Sequence, residues 1–228
     1  MEINSLLDFE AARVEFLFEA KGVEVFIKRD DLLHPTISGN KGRKLKYFWQ
    51  EYQAGDYHSI LSFGGAHSNH LAALAALGKL TQTPCHALIR GEEEMDNPTL
   101  RFCRDQGMQL EGISRAKYRQ KDDPDFKAML LEIDPQIFII PEGGKGPQGV
   151  AGCAEITQEF AAEEFDYFAL AAGTGTTAAG VLASFPGRTL VYSALKGGAF
   201  LKRAIVETYL AYAERYQKRA SLRKAQEN

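Results

Sequence analysis

Short runs of β-branched and aromatic residues recur along the chain, separated by longer stretches in which apolar positions return every three or four residues. Val23 to Lys28, Ser59 to Phe63, Cys85 to Ile89, Gln136 to Ile140, Tyr167 to Ala171 and Leu190 to Tyr192 have the length and composition of strands. The segments between them predict helices, and the alternation predicts an α/β protein with a largely parallel sheet. In such sheets ligands collect beyond the carboxyl ends of the strands. The clearest breaks are Asp122-Asp123-Pro124 and Gly143-Gly144-Lys145-Gly146-Pro147, the second placed to join a small α/β domain to a larger one. After Gly197-Gly198, an apolar stripe of Leu201, Ile205, Tyr209, Tyr212 and Tyr216 predicts a last amphipathic helix. From Leu201 onward seven Lys or Arg stand against three Glu, which predicts a solvated helix face and a frayed basic tail from Lys218 to Asn228. There is no internal repeat and no low-complexity segment.

The chain has 228 residues, 45% hydrophobic and 25% charged, enough for a substantial core in one or two domains. A net charge of -3 gives no general attraction to nucleic acid or to anionic membrane, so any anion site must be built locally. Cys85, Cys103 and Cys153 are odd in number, widely spaced and without a CxxC pair, which argues against a disulfide framework and against zinc. Reduced thiols in the cytoplasm are the expectation. Asp8, Glu10, Arg13 and Glu15 interrupt the N-terminal region before any signal-peptide core can form. The apolar run from Leu71 to Leu77 is far short of the roughly 20 residues that span a bilayer, so a soluble protein is expected.

Four stretches carry candidate chemistry. In Ser38-Gly39-Asn40-Lys41-Gly42-Arg43-Lys44-Leu45, small residues run directly into a helix. A lysine near the positive end of that helix is disfavoured as an ammonium, and a neutral amine can form a Schiff base. The alternative is a basic, solvated helix start made by Lys41, Arg43, Lys44 and Lys46. In Ser62-Phe63-Gly64-Gly65-Ala66-His67-Ser68-Asn69-His70, glycines follow a strand and open an Ala-rich helix that runs to about Leu80. Ser68 and Asn69 there either receive an anion or cap the helix, with both histidines partly exposed. Two histidines three apart without a third ligand make a poor metal site, and no metal is expected.

Ala172-Gly173-Thr174-Gly175-Thr176-Thr177-Ala178-Ala179-Gly180 lies between an apolar strand and an apolar helix. Its amides and hydroxyls make a cup for a phosphate, or else a tight turn without ligand. It also satisfies the loose GxGxxG/A pattern. No Asp or Glu occurs from Tyr167 through Val206 to bind a ribose, which disfavours a dinucleotide. The fourth stretch, Pro141-Glu142-Gly143-Gly144-Lys145-Gly146-Pro147-Gln148-Gly149, is a flexible loop that could line a pocket.

Taken in this order, Lys28-Arg29-Asp30-Asp31, the Gly39-to-Leu45 stretch, the Gly64-to-Asn69 stretch, Pro141-Glu142-Gly143-Gly144 and Gly173-to-Thr177 resemble one family. That family is the D-cysteine desulfhydrase and 1-aminocyclopropane-1-carboxylate deaminase group of fold type II pyridoxal-phosphate enzymes, related to the tryptophan synthase β chain. The resemblance runs from about Val23 to Gly198. It implies a three-layer tryptophan synthase β-like α/β fold with parallel-rich sheets. Residues 1–45 and 146–228 would form the large cofactor-binding domain, incomplete at its C-terminal side relative to the family, and residues 46–145 the small α/β domain.

The resemblance also implies roles. Lys41 would bind the aldehyde of pyridoxal 5'-phosphate, and Gly173, Thr174, Gly175, Thr176 and Thr177 would hold its phosphate. Asn69 would contact the ring hydroxyl, while Gly65, Ala66, His67, Ser68 and Asn69 would receive the substrate carboxylate. Ser68 or Lys41 would move protons at the substrate carbon, with Lys44 a second candidate amine. His70, after Ser68-Asn69, points toward the desulfhydrase branch. The implied partner is a small amino acid, with neither nucleic acid nor membrane; a homodimer is open, since the family commonly dimerises. The implied reaction is β-elimination from D-cysteine or opening of the cyclopropane ring. A noncatalytic member that keeps the phosphate cup and a nucleotide-binding α/β module are the two alternatives.

Overall fold

The computed structural model describes residues 2–93 and 95–217. The chain opens with an antiparallel ribbon of β1 (Val14–Ala20) and β2 (Val23–Lys28), turned by Lys21 and Gly22 at φ of 53° and 75°. Helix α1 (Asn40–Ala54) follows. The middle of the chain then alternates as β3 (Ser59–Gly64), α2 (Asn69–Thr81), β4 (Cys85–Arg90), α3 (Pro98–Asp105), β5 (Gln109–Ile113), α4 (Arg115–Tyr118), α5 (Pro124–Ile133) and β6 (Ile137–Ile140). The last part runs α6 (Pro147–Ala154), β7 (Tyr167–Ala172), α7 (Thr176–Ser184), β8 (Arg188–Ser193) and α8 (Phe200–Tyr212). All six expected strands are present.

Strands β3 to β6 form a parallel sheet in the order β5-β4-β3-β6. Because successive strand side chains point to opposite faces, β3 feeds two cores. Ile60 packs with Leu45, Trp49, Leu71 and Leu74 of α1 and α2, while Leu61 and Phe63 pack with Tyr118 and Phe126 of α4 and α5. Helices on both faces make this the three-layer α/β arrangement that was expected. Strand β5 is a correction, since the whole segment between Ile89 and Gln136 was expected to be helical. Five residues with exposed Gln109 and Glu111 at the sheet edge give a period-2 signal too short to stand out between two helices. Asp123 accepts from the Asp125 amide as the cap of α5, with Pro124 in its first turn, so that break is a helix start.

β7 and β8 pair in parallel as a third sheet, of two strands among the described residues. Leu170 and Val191 pack on Val150 of α6, Ala178 of α7, and Leu201 and Ile205 of α8. The predicted stripe on the last helix therefore faces inward, with Tyr209 and Tyr212 packed on the same core. The basic tail expected beyond it lies outside the described residues. Among the described residues no helix is long and apolar enough to cross a membrane.

Glycines set how closely the helices of this region approach. A Cβ on Gly152 of α6 would overlap the Arg43 carbonyl oxygen, and one on Gly180 of α7 would lie 2.5 Å from the Cβ of Cys153. Helix α6 is thereby packed against both α1 and α7. Arg43 fixes the start of α1. Its side chain is 1% exposed, and it bonds both oxygens of Asp30 at 2.6 and 2.7 Å and both of Glu159 at 2.6 and 2.8 Å. Lys28 bridges the same two carboxylates at 3.1 and 2.9 Å and donates to the Ala12 carbonyl. Burial opposes the guanidinium charge, but the Glu159 and Asp30 bonds outweigh it and raise the Arg43 pKa. Arg43→Met leaves two half-buried carboxylates short of a partner and is expected to lower unfolding free energy by about 3–5 kcal/mol. Urea denaturation at pH 7 checks this.

Candidate active site

Four loops converge at the start of α1. Gly39, at φ 62°, turns the chain into the helix, and the next residue, Asn40, donates from Nδ2 to Thr177 Oγ1 at 2.8 Å. That bond joins the lysine-bearing segment directly to the Gly173–Thr177 loop. Thr174 and Thr176 hydroxyls lie 3.4 Å apart in the same loop. Gly143 backs it, since a Cβ there would meet Thr174 Cγ2 at 3.2 Å. Gly144 in turn lies against Lys44 and His70, with a built Cβ 3.1 Å from Lys44 Cβ and 3.8 Å from His70 Cε1. The Gly143-Gly144 stretch is thus the element on which the other three loops meet.

Lys41 is partly exposed and Lys44 is 2% exposed, three residues further along the same helix face. They share a hydrogen bond, which lowers the Lys41 pKa and acts to raise that of Lys44 against its burial. Burial and the neighbouring Lys44 charge bring Lys41 from 10.5 to about 8. Burial also lowers Lys44, against the attraction of Cys153. The solvated helix start is therefore overturned for Arg43 and Lys44, and Lys46 is bonded to Glu155 at 2.6 Å.

Gly175 caps α7 at φ 83° without a side-chain cap, and its missing Cβ makes room for Ile205, whose Cγ1 a Cβ would meet at 2.7 Å. The first amides of α7 keep no side-chain partner, which with three threonine hydroxyls suits a phosphate. Ser68 caps α2, its Oγ accepting from the Leu71 amide at 3.3 Å, while its own amide donates to Gly65 at 3.1 Å. Gly65 and Ala66 are half-buried, and His67 and Asn69 are exposed. His70 is 2% exposed, which corrects the expectation that both histidines are partly exposed. Ser68 and Asn69 come near the lysines through His70, one residue on, rather than through a bond of their own side chains to the Gly173–Thr177 loop.

Three participants had little or no sequence signal. Asn40 differs in nothing from a helix-capping residue, and Cys153 sits in a plain small-residue helix. Yet Cys153 is fully buried, interacts with both lysines and bonds Thr177, with burial pushing its thiol pKa up. His70 was visible only as a family-like residue. Among the described residues no group of three His, Cys, Asp or Glu could hold a metal. A surface cleft lined by Trp49, Tyr52, Leu80 and Thr83 lies over two turns along α1 and carries no charged group.

A buried lysine is a stability debit below its native pKa. Between pH 8 and 10.5 the unfolded chain holds more protons at Lys41 than the native one, so stability rises with pH through that window. Lys41→Met is expected to stabilise the protein at pH 7, by roughly 3 kcal/mol at most, and by much less at pH 10.5. Urea titrations at the two pH values check it.

The profile of the pyridoxal-phosphate dependent enzymes matches residues 10–213. A Pyrococcus horikoshii protein provisionally named as a 1-aminocyclopropane-1-carboxylate deaminase is 31% identical over 170 residues, covering 70% of this chain and 50% of its own length. The mitochondrial bifunctional D-cysteine desulfhydrase/1-aminocyclopropane-1-carboxylate deaminase of Arabidopsis thaliana is 29% identical, covering 70% of this chain and 44% of its own. This chain thus spans about half the length of these curated relatives. The solved structure of an ACC deaminase homologue superposes with a TM-score of 0.72 at 25% identity, covering 85% of this chain and 62% of that one. The family profile spans the four loops and all three sheets described above, and the chain belongs to the pyridoxal-phosphate dependent enzymes.

Proposed function

We propose that this chain acts as a pyridoxal-phosphate lyase or deaminase on a small amino acid, by β-elimination from D-cysteine or by ring opening of 1-aminocyclopropane-1-carboxylate. The observation that carries the proposal is Lys41 itself. Its amine has a pKa of about 8 and stands next to Asn40, which is bonded to the Gly173–Thr177 loop. When bound, the cofactor supplies an aldehyde for an amine and an electron sink for a carbanion.

The chain's own groups do the rest. Lys41, neutral in an appreciable fraction near pH 8, offers its lone pair as the nucleophile. Thr174, Thr176 and Thr177 with the first amides of α7 take the phosphate. Asn69, exposed at the start of α2, faces outward to meet the ring hydroxyl, and the Gly65, Ala66, His67 and Ser68 turn receives the substrate carboxylate at the same helix end. Lys41 or Ser68 holds and returns the proton at the substrate Cα. We assign residues 1–45 and 146–228 to the cofactor domain and 46–145 to the small domain, in a cytoplasmic protein that binds neither nucleic acid nor membrane, with a homodimer open to it.

Binding without turnover is the second reading. It is favoured by Tyr167, Leu190 and Tyr192, which stay 53%, 39% and 63% exposed on the β7–β8 pair and leave that two-stranded sheet with an open apolar face. Sulfide release from D-cysteine and ammonia release from 1-aminocyclopropane-1-carboxylate, each with added pyridoxal phosphate, decide between them. Turnover that Lys41→Ala lowers by at least about a hundredfold is expected. A folded protein that binds the cofactor and releases neither product would overturn the lyase assignment.

A further inference from the structure

The fully buried group behind Lys41 includes an imidazole that the function above does not use. Ser62 Oγ donates its single proton to the Ile140 carbonyl at 2.8 Å, so toward His70 Nε2, 2.9 Å away, the hydroxyl can only accept. His70 therefore carries its proton on Nε2. Burial first, then the charges of Lys41 and Lys44, hold its pKa down to about 3, so the ring is neutral and Nδ1 is a bare lone pair. That atom is buried without a hydrogen-bond partner. A buried acceptor left unmade destabilises by about 1–3 kcal/mol, so a donor within reach will be drawn to it. The charged groups that act on this imidazole are Lys41 and Lys44. Gly144 packs against the Lys44 stem and the His70 ring edge together, with a built Cβ 3.5 Å from Lys44 Cδ and 3.8 Å from His70 Cε1, so nothing bulkier separates them on that side.

We propose that His70 is a positioning residue whose Nδ1 accepts from the Lys44 ammonium, so that Lys44 retains the one proton the lysine pair keeps and Lys41 is left as the free amine. An ammonium has three donors. Lys41 Nζ takes one, His70 Nδ1 a second, and the Cys153 thiol faces the third. The groups around Lys44 are then Lys41 on its own helix, His70 on α2 and Cys153 on α6, with Arg43 and Thr177 acting on Cys153 in turn. None of them is a carboxylate. The inference rests on Lys41 being the cofactor's amine only for its consequence, since none of the proposed donors and acceptors belongs to the cofactor.

Its test therefore uses no cofactor. The pH dependence of Lys41 acetylation by acetic anhydride, read by peptide mass spectrometry, gives the midpoint of that amine directly. His70→Gln keeps a polar group toward Ser62 and loses the acceptor at Nδ1, whereas His70→Asn keeps an acceptor near Nδ1 and loses the Ser62 bond. Without its acceptor Lys44 deprotonates sooner and ceases to oppose a charge on Lys41. His70→Gln and Lys44→Met are each expected to raise the Lys41 midpoint by about one pH unit, the size one charge-assisted bond supports, and His70→Asn to leave it in place. An equal shift in both His70 variants, a shift in His70→Asn alone, or none in either overturns the proposal. Imidazole 15N shifts of the wild-type protein give a check that needs no variant to fold: His70 found protonated on Nδ1 also overturns it. Absence of cofactor binding in the same protein would sink the proposed function and leave these outcomes readable.

Discussion

Arg43 decides where the site can be. Its guanidinium is buried between Asp30 and Glu159, which come from the turn after β2 and the segment after α6, and Lys28 closes the group into two cations and two anions. A buried ion group of this kind is weak evidence for net stability, because desolvation offsets most of the attraction. What it supplies is position: three distant pieces of chain must meet for any of the four charges to be satisfied. The opposite side of the same helical turn then presents Lys41 and Lys44 to Cys153. The ion group also takes Asp30 and Glu159 away from the lysines, and Lys46 takes Glu155. Lys41 and Lys44 are left with each other, a thiol and an imidazole, so burial, and for Lys41 the Lys44 charge, lowers their pKa values with no carboxylate to oppose it.

Six of the eight strands were legible in the sequence; β1 was missed, its run Val14–Ala20 being interrupted by Glu15 and Glu19. β2, β3, β4, β6, β7 and β8 stand in the pattern because Val, Ile, Phe and Leu cluster there between glycines and helical spacings. β5 was not, because an edge strand of five residues with two exposed polar positions leaves too little period to detect. The loops were legible as glycine-rich strand ends, and their convergence was not, because it depends on pairings 137 residues apart such as Asn40 with Thr177. Charge misled most. Arg43, Lys44 and Lys46 look like a solvated basic helix start, and only tertiary contact shows that the first two are buried. His70 and Cys153 are silent in one dimension for the same reason: a buried polar residue is defined by what surrounds it.

Glycine has two separate duties at this site. At Gly39, Gly143, Gly144 and Gly175 the backbone takes positive φ, which other residues rarely adopt, and the loops turn where strands end. At Gly152 and Gly180 the duty is room, since α6 reaches α1 and α7 only where no Cβ intervenes. The first set shapes the cup and the second brings the lysine to it. A sequence with the same loops but larger residues on α6 and α7 would keep every motif and separate them in space.

Two lysines three residues apart also account for an amine pKa of about 8 without a base beside it. A single buried lysine depends on desolvation alone, and any water that penetrates restores its charge. With a second lysine on the same helix face, charging both requires two like charges in a low-dielectric pocket, which Coulomb repulsion opposes strongly. Burial and the Lys44 charge together bring the Lys41 pKa down to about 8. Lys44 is the more deeply buried of the two, so its charge is stabilised only by bonds. Lys41 is the partly exposed one, next to Asn40 and its bond to the Gly173–Thr177 loop.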